Sequence, residues 1–163
     1  MTVKINEIVR EFKKLADLHP NIHTFGAGEI DDIQQDMKYY PYMWLVTDNS
    51  HTLEYTEDNG YRSVEFTFSL RIGDKRNNQT GYEGILGIGE DNQLDIISNT
   101  FQYQLDVFNT IRGQADVLPE VELVGDISIE PFYNEDDGDV CGNIATFTLR
   151  VKNDEVCITQ YNI

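Results

Sequence analysis

Residues 91–113, DNQLDIISNTFQYQLDVFNTIRG, decide the fold because they form the longest unbroken helical pattern in the chain. Apolar residues recur there every three or four positions, which predicts one helix face turned to the core. These core positions are Leu94, Ile97, Phe101, Leu105, Phe108 and Ile111. Asp91 suits the N-cap, and Gly113 suits the left-handed position just after the helix. A surface helix needs only one apolar stripe, so we expect a second, smaller strip to contact something else: Ile96, Tyr103 and Val107.

The sequence on both sides of this helix predicts an antiparallel sheet and one further helix. Residues 3–18 have the apolar period of an amphipathic helix. Residues 40–47 form a buried, aromatic-rich strand, and residues 52–57 and 61–72 form a hairpin around the turn sequence Asp58-Asn59-Gly60. Alternation in residues 61–72 assigns one face to the core: Val64, Phe66, Phe68, Leu70 and Ile72. The facing residues Ser63, Glu65, Thr67, Ser69 and Arg71 are expected to be wet or shared with a partner.

A second hairpin follows the central helix, and it completes the predicted fold. Residues 121–132 and 143–151 read as its strands, and a short last strand is expected around residues 156–161. The prediction is a single α+β domain over residues 1–163. An antiparallel sheet of about five to six strands packs against the long central helix and the N-terminal helix. Residues 73–90 and 133–142 are treated as a long loop and an acidic turn inserted into this domain.

The charge is strongly acidic and unevenly distributed. Twelve basic against 29 acidic residues give a net charge of −17, which opposes binding to nucleic acid as a ligand. It is compatible with a place beside DNA, because an acidic wall lets a polyanion pass without adhering. No Lys or Arg lies between Arg112 and Arg150, and that interval carries nine carboxylates: Asp116, Glu120, Glu122, Asp126, Glu130, Glu135, Asp136, Asp137 and Asp139.

No pattern of catalytic or metal-binding residues stands out. The serines lack a nucleophile elbow, and the glycines match neither a dinucleotide fingerprint nor a phosphate-binding loop. Cys141 and Cys157 are not in a zinc-like or redox spacing and are read as two free thiols. The N-terminus lacks the apolar core of a signal peptide, and no window is apolar enough to span a bilayer. We therefore expect no enzyme, no cofactor, no metal and no membrane insertion.

The loop of residues 73–90 is a candidate contact segment. It contains the basic pair Lys75 and Arg76, and it carries Tyr82, Ile85 and Leu86, which would be unusual to leave in water. Long connections in compact domains are usually functional or disordered. Two interpretations stay open, namely an arm that orders against another chain and a loop folded back on its own domain.

Several stretches carry a resemblance to a known family. They are EFKKLADLHPNIHTFGAGEIDDI, YYPYMWLV, VEFTFSLRIGDKR and EDNQLDIISNTFQYQLDVFNTI. Together with the order helix, meander, long loop, central helix and hairpin, the chain resembles the tail-terminator and neck-ring proteins of tailed bacteriophages, including structural proteins of crAss-like phages. The resemblance implies a virion protein, made in the host cytoplasm, whose copies close a six- or twelvefold ring at the head–tail junction. DNA passes through such a ring without specific binding, and portal, connector and tail proteins stack against it. No cofactor or catalytic residue is expected in this family.

This resemblance suggests roles for particular residues. A ring needs two different patches that meet head to tail, and Lys75 and Arg76 could pair with the acidic interval 116–139 of the next copy. The arm residues Tyr82, Ile85 and Leu86 and the minor strip Ile96, Tyr103 and Val107 are further contact candidates. Four acidic residues are expected to line the lumen or face a stacked ring: Glu135, Asp136, Asp137 and Asp139. The alternatives are a tail or baseplate adaptor module that does not close the DNA channel and a small soluble enzyme.

Overall fold

Two helices and six strands make up the part of the chain that the structure, a computed structural model, describes: residues 5–33, 39–47, 51–56, 60–76, 92–114, 117–118, 121–135 and 139–152. Helix α1 spans Ile5–Leu18, and helix α2, the central helix, spans Gln93–Gly113. The strands are β1 (Thr24–Gly28), β2 (Tyr42–Val46), β3 (His51–Thr56), β4 (Gly60–Lys75), β5 (Val121–Glu135) and β6 (Val140–Lys152). The predicted α+β class is confirmed.

The six strands form one mostly antiparallel sheet. Five of them follow the order β1-β2-β4-β6-β5, and the sixth, β3, pairs with β4. Only the β1–β2 pair is parallel. Strand β4 is long enough to pair with β3 along its first half and with β2 along its second half. The two long central strands β4 and β6 therefore carry the sheet, while β5 forms one edge and β1 forms part of the other.

Both helices lie on the same face of this sheet. Helix α1 packs on β1 and β2, and helix α2 packs on β6, β4 and β5. The ring of Phe147 lies at the centre of the shared core, with its centroid 5.5 Å from that of Phe12, 6.0 Å from that of Phe68 and 5.0 Å from that of Phe108. The core face predicted for β4 is confirmed for Phe66, Phe68, Leu70 and Ile72, which are buried or pack against this cluster, whereas Val64 is half-buried outside it.

The opposite face of the sheet carries a second, smaller apolar cluster that includes Ile33, Tyr42 and Trp44. The indole of Trp44 lies over Gly26 of the neighbouring strand, where any added Cβ would overlap the ring. Arg71 was expected to be wet or shared with a partner, but it is buried within its own chain. Its Nε donates a 2.8 Å hydrogen bond to the Tyr42 hydroxyl, and its guanidinium lies 3.9 Å from the centre of the Phe132 ring. The prediction was wrong because alternation identifies a face without showing what covers it.

Several predicted boundaries also differ from the structure. Gly113 is the last residue of α2, and its φ is not positive. The helix ends instead with Gln114 as its C-cap, in an extended backbone conformation. Strand β4 continues to Lys75, and β5 and β6 extend into the predicted acidic turn. Cys141 is buried. Asp91, Cys157, the Asp58-Asn59 turn and the expected last strand lie outside the described residues.

Candidate interaction surfaces

The face of α2 that meets the sheet is partly polar. Thr100 and Gln104 are fully buried there, between the helix and strands β4 and β6. Gln104 Nε2 donates to the backbone carbonyls of Leu70 and Asn143, each at 2.9 Å. Asn143 Nδ2 returns hydrogen bonds to the Ile97 carbonyl at 2.7 Å and to Thr100 Oγ1 at 2.9 Å. Because buried polar groups are costly unless bonded, this network fixes the rotation of the helix on the sheet.

The rotation leaves much of the predicted core stripe outside the core. Leu94 is 50% exposed and Phe101 is 43% exposed, whereas Phe108 is buried as expected. Ile97 and Leu105 are half-buried. The prediction was therefore wrong for Leu94 and Phe101, because a hydrophobic period cannot show that Thr100 and Gln104 take the buried side. We call Leu94, Ile97, Phe101 and Leu105 the apolar strip.

The minor strip of α2 behaves differently from the prediction. In the protomer Ile96 is 3% exposed and Val107 is 2% exposed, and both lie on the sheet-facing side of the helix. This burial weakens the prediction that Ile96 contacts a neighbouring copy, whereas Val107 also lines a cleft, where its contact with a neighbouring copy stays a prediction. Tyr103 is half-buried against the main core, and its role at an interface stays a prediction. The suggested contact of these residues with the long loop falls outside the described residues.

A cleft of about 590 Å³ lies between α1 and the C-terminal half of α2. Its apolar walls come from Leu15, Leu18, Pro20, Val107 and Val117. Leu18 stands at its rim and is 81% exposed. The remaining lining residues are polar: Glu11, Lys14, His19, Asn21, Asp106, Thr110 and Gln114. Two of them, Glu11 and Asp106, are carboxylates. The volume is within the usual range for pockets that bind a ligand or a large side chain, roughly 300–1,000 Å³. We call this feature the α1–α2 cleft.

Titratable side chains cluster beside the cleft. His19 Nε2 lies 3.5 Å from Asp106 Oδ2, and the His19 ring meets the ring of Tyr103 edge-on at 5.0 Å. Burial raises the pKa of Tyr103, and the charges of Asp74 and Asp106 raise it further. Burial likewise raises the pKa of Asp74, against the lowering effects of the Lys75 N–H and of His23. These contacts hold the junction of α1, β4 and α2 in one arrangement.

The predicted basic and acidic contact residues meet within one chain. Lys75 is exposed at the end of β4, and the next residue, Arg76, donates its backbone N–H to the Asp139 carbonyl at 2.6 Å. Opposite patches of a head-to-tail contact must lie apart on the protomer, so this adjacency weakens the pairing of Lys75 and Arg76 with Asp139 of another copy. Glu135 ends β5 nearby. Five of the predicted site residues lie outside the described residues: Tyr82, Ile85, Leu86, Asp136 and Asp137.

Strand β5 gives the sheet an acidic edge that is poorly suited to pairing with another strand. Glu122, Asp126 and Glu130 are all exposed along it. The register with β6 shifts between Val124 and Ser128, where Gly125 has a positive φ of 71°. Pro131, further along the strand, has no N–H to donate. Bulges, charges and proline are the usual features that prevent a free edge from accepting a further strand.

The described residues contain neither a metal-like cluster of side chains nor a membrane-spanning helix. No three His, Cys, Asp or Glu side chains there converge as metal ligands would. Neither of the two helices is long and apolar enough to cross a bilayer. Among known proteins, no family model matches the sequence, and no curated protein sequence matches it either.

Proposed function

We propose that this chain is a structural protein of a tailed-bacteriophage virion, one copy of an oligomeric ring at the head–tail junction. In this role, as a tail terminator or a neck ring, the ring surrounds the path of DNA and stacks between connector and tail proteins. Its acidic surface suits the role, since a net charge of −17 repels the polyanion that must move past it. Nothing in this role requires a cofactor.

The observation that carries the proposal is the apolar strip of α2. Leu94 and Phe101 are large apolar side chains exposed on one line of the longer described helix, in a chain whose net charge is −17. Exposed apolar patches of this kind mark surfaces that bind other proteins. A contact surface, rather than a reactive constellation, is what the described residues offer, and this favours a role in assembly.

Electron microscopy of the purified full-length protein tests the proposal. We expect closed rings with six or twelve subunits, in proportions that increase with protein concentration. A ring with a central channel supports the neck position. Particles that remain monomeric or dimeric at the highest soluble concentration would contradict the ring and would favour the adaptor module.

Salt dependence separates two ways in which such a ring could close. If Lys75 and Arg76 pair with carboxylates of the next copy, added salt screens that attraction and dissociates the ring. If apolar contact closes the ring, added salt screens the repulsion between copies of net charge −17 and strengthens assembly. We expect strengthening between roughly 0.05 M and 0.5 M salt, over which the screening length falls to a few ångströms. The double variant Lys75→Glu/Arg76→Glu should still assemble. Loss of its rings would instead support the hypothesis that Lys75 and Arg76 pair with carboxylates of the next copy.

A further inference from the structure

The apolar strip and the α1–α2 cleft lie on opposite flanks of α2. Successive helix residues are separated by about 100° around the axis. On this geometry the strip lies about 85° to one side of the buried face marked by Thr100 and Gln104, whereas Asp106 and Thr110 of the cleft lie about 120° to the other side. Helix α1 borders the cleft flank, as the contacts of His19 with Tyr103 and Asp106 show. The strip flank therefore faces the β5 edge.

We propose that the apolar strip of one copy packs into the α1–α2 cleft of the next copy. The inference rests on the proposed function and identifies its seam. An exposed aromatic side chain, Phe101, would fill an apolar recess formed in part by Leu18, Val107 and Val117. The two surfaces are different and lie on opposite flanks, so each copy can contact one neighbour on each side. Repetition of such a contact gives a closed ring or an open filament, never a closed pair.

Charge supports a second copy as the occupant of the cleft. Arg112 continues the line of Leu94, Phe101 and Leu105 on α2 and is exposed at its end. The strip thus combines apolar side chains with one cation. The cleft combines apolar walls with the carboxylates of Glu11 and Asp106 and the ammonium of Lys14. Lys14 pairs with Glu11, so Asp106 is the carboxylate of the lining that offers a site for Arg112. Complementary charge at a contact fixes its register and excludes wrong partners.

The form of the β5 edge indicates how the copies meet. Its bulge at Gly125 and its Pro131 interrupt the free ladder, so a neighbour cannot extend the sheet along the whole strand. Contact through side chains of the helical layer avoids that obstacle. The seam is therefore a helix-to-cleft contact beside the sheet edge rather than a continuous sheet through the ring.

Three variants of the full-length chain test the seam. Phe101→Glu damages the strip, and Leu18→Glu damages the rim of the cleft. Leu53→Glu is the matched control, because Leu53 is an exposed leucine on β3, away from both surfaces. Mass photometry and light scattering across a concentration series give the assembly state, and far-ultraviolet circular dichroism checks folding. We expect each of the first two changes to raise the apparent dissociation constant about thirtyfold or more, the effect of losing an interface hot spot, while the control assembles as the wild type does.

Mixing the two damaged variants is the decisive step. The Phe101→Glu variant keeps an intact cleft, and the Leu18→Glu variant keeps an intact strip. In an equimolar mixture the strip of the second can bind the cleft of the first, and the remaining strip and cleft of the pair are both damaged. We expect a heterodimer that grows no further. This result also shows that each variant has folded, because each contributes its undamaged surface.

Other results overturn the seam and leave the ring standing. One is that either damaged variant assembles as the wild type does, and another is that the mixture stays monomeric. The third is that Phe101→Glu loses assembly while Leu18→Glu keeps it, which would indicate that the apolar strips of two copies contact each other. A wild-type chain that stays monomeric at every concentration overturns both the seam and the proposed function. The two failures are therefore distinguishable.

Discussion

The two faces of α2 depart from the usual arrangement of an amphipathic helix, because two polar residues share the buried face with Ile96, Val107 and Phe108. The buried face holds Thr100 and Gln104, bonded to the sheet, whereas the outer flank exposes Leu94 and Phe101. Hydrophobic burial alone would favour the opposite rotation, since an exposed aromatic loses roughly 25 cal/mol for each Å² left in water. The difference teaches that the hydrogen bonds of Gln104 Nε2 and Asn143 Nδ2 fixed the helix and left apolar surface outside the core, even though Gln104 Oε1 is buried with no partner among the described residues. Such surface is available to a partner.

The largest expected effect comes from comparing two phenylalanines on the same helix. Phe108 is buried against Phe147, while Phe101, seven residues earlier, is largely exposed. Phe108→Ala should lower the free energy of unfolding of the monomer by about 3–5 kcal/mol, because it leaves a cavity in the core. Phe101→Ala should cost about 1 kcal/mol or less. Urea denaturation below the assembly concentration measures both, and equal costs would place Phe101 in the core.

The polar network should give a smaller but clear effect. Asn143→Ala removes the donors to the Ile97 carbonyl and to Thr100 Oγ1. We expect a loss of about 1–3 kcal/mol in unfolding free energy, the usual cost of unsatisfied buried groups. Asn109→Ala changes an exposed asparagine of α2 and is the matched control, with an expected change of about 0.5 kcal/mol or less. A neutral Asn143→Ala would mean that the network does not hold the helix.

The smallest expected effect concerns Asp74, near the junction of α1, β4 and α2. Burial raises the pKa of its carboxyl above the ordinary value of 3.8, so the folded state binds this proton more tightly than the unfolded state. Its stabilising contribution is complete below about pH 3.8 and is lost as the pH rises through the folded pKa. Asp74→Asn should therefore be more stable than the wild type at pH 7, and the gain should shrink towards pH 3.

A matched control for Asp74 removes the same charge from an exposed site. Asp126→Asn does so on the β5 edge. Thermal denaturation from pH 3 to pH 7 then compares the two variants. If both show the same gain at pH 7, the effect comes from net charge and not from the burial of Asp74.

The strands were more predictable from sequence than the rotation of α2. In β4 and β6 every second residue is apolar, and both helices cover that face, so alternation alone identifies the core. For α2, six apolar residues matched one period, but Ile96 and Val107 matched the buried face. Choosing between these two possible buried faces of α2 required its hydrogen bonds with Asn143 and with the Leu70 carbonyl, which are distant in sequence. A glutamine and a threonine in line with Ile96 and Val107 were the local signal of this face.

The cleft was less predictable still, because it exists only where α1 and α2 come together. In the sequence, Leu18 is the last residue of the predicted amphipathic helix, and His19 directly precedes Pro20. The fold brings both beside Asp106 and Val107, about ninety positions later. The acidic interval, by contrast, was visible in sequence, and its exposed members on β5 appear where alternation would place them.

Electron cryomicroscopy of the assembled wild-type particle, at a resolution that shows side chains, tests the central claim most directly. We predict Phe101 of each copy within the α1–α2 cleft of the next, with Arg112 close to Asp106 of that neighbour. A particle in which Phe101 faces solvent, or meets Phe101 of another copy across a twofold axis, would contradict the account.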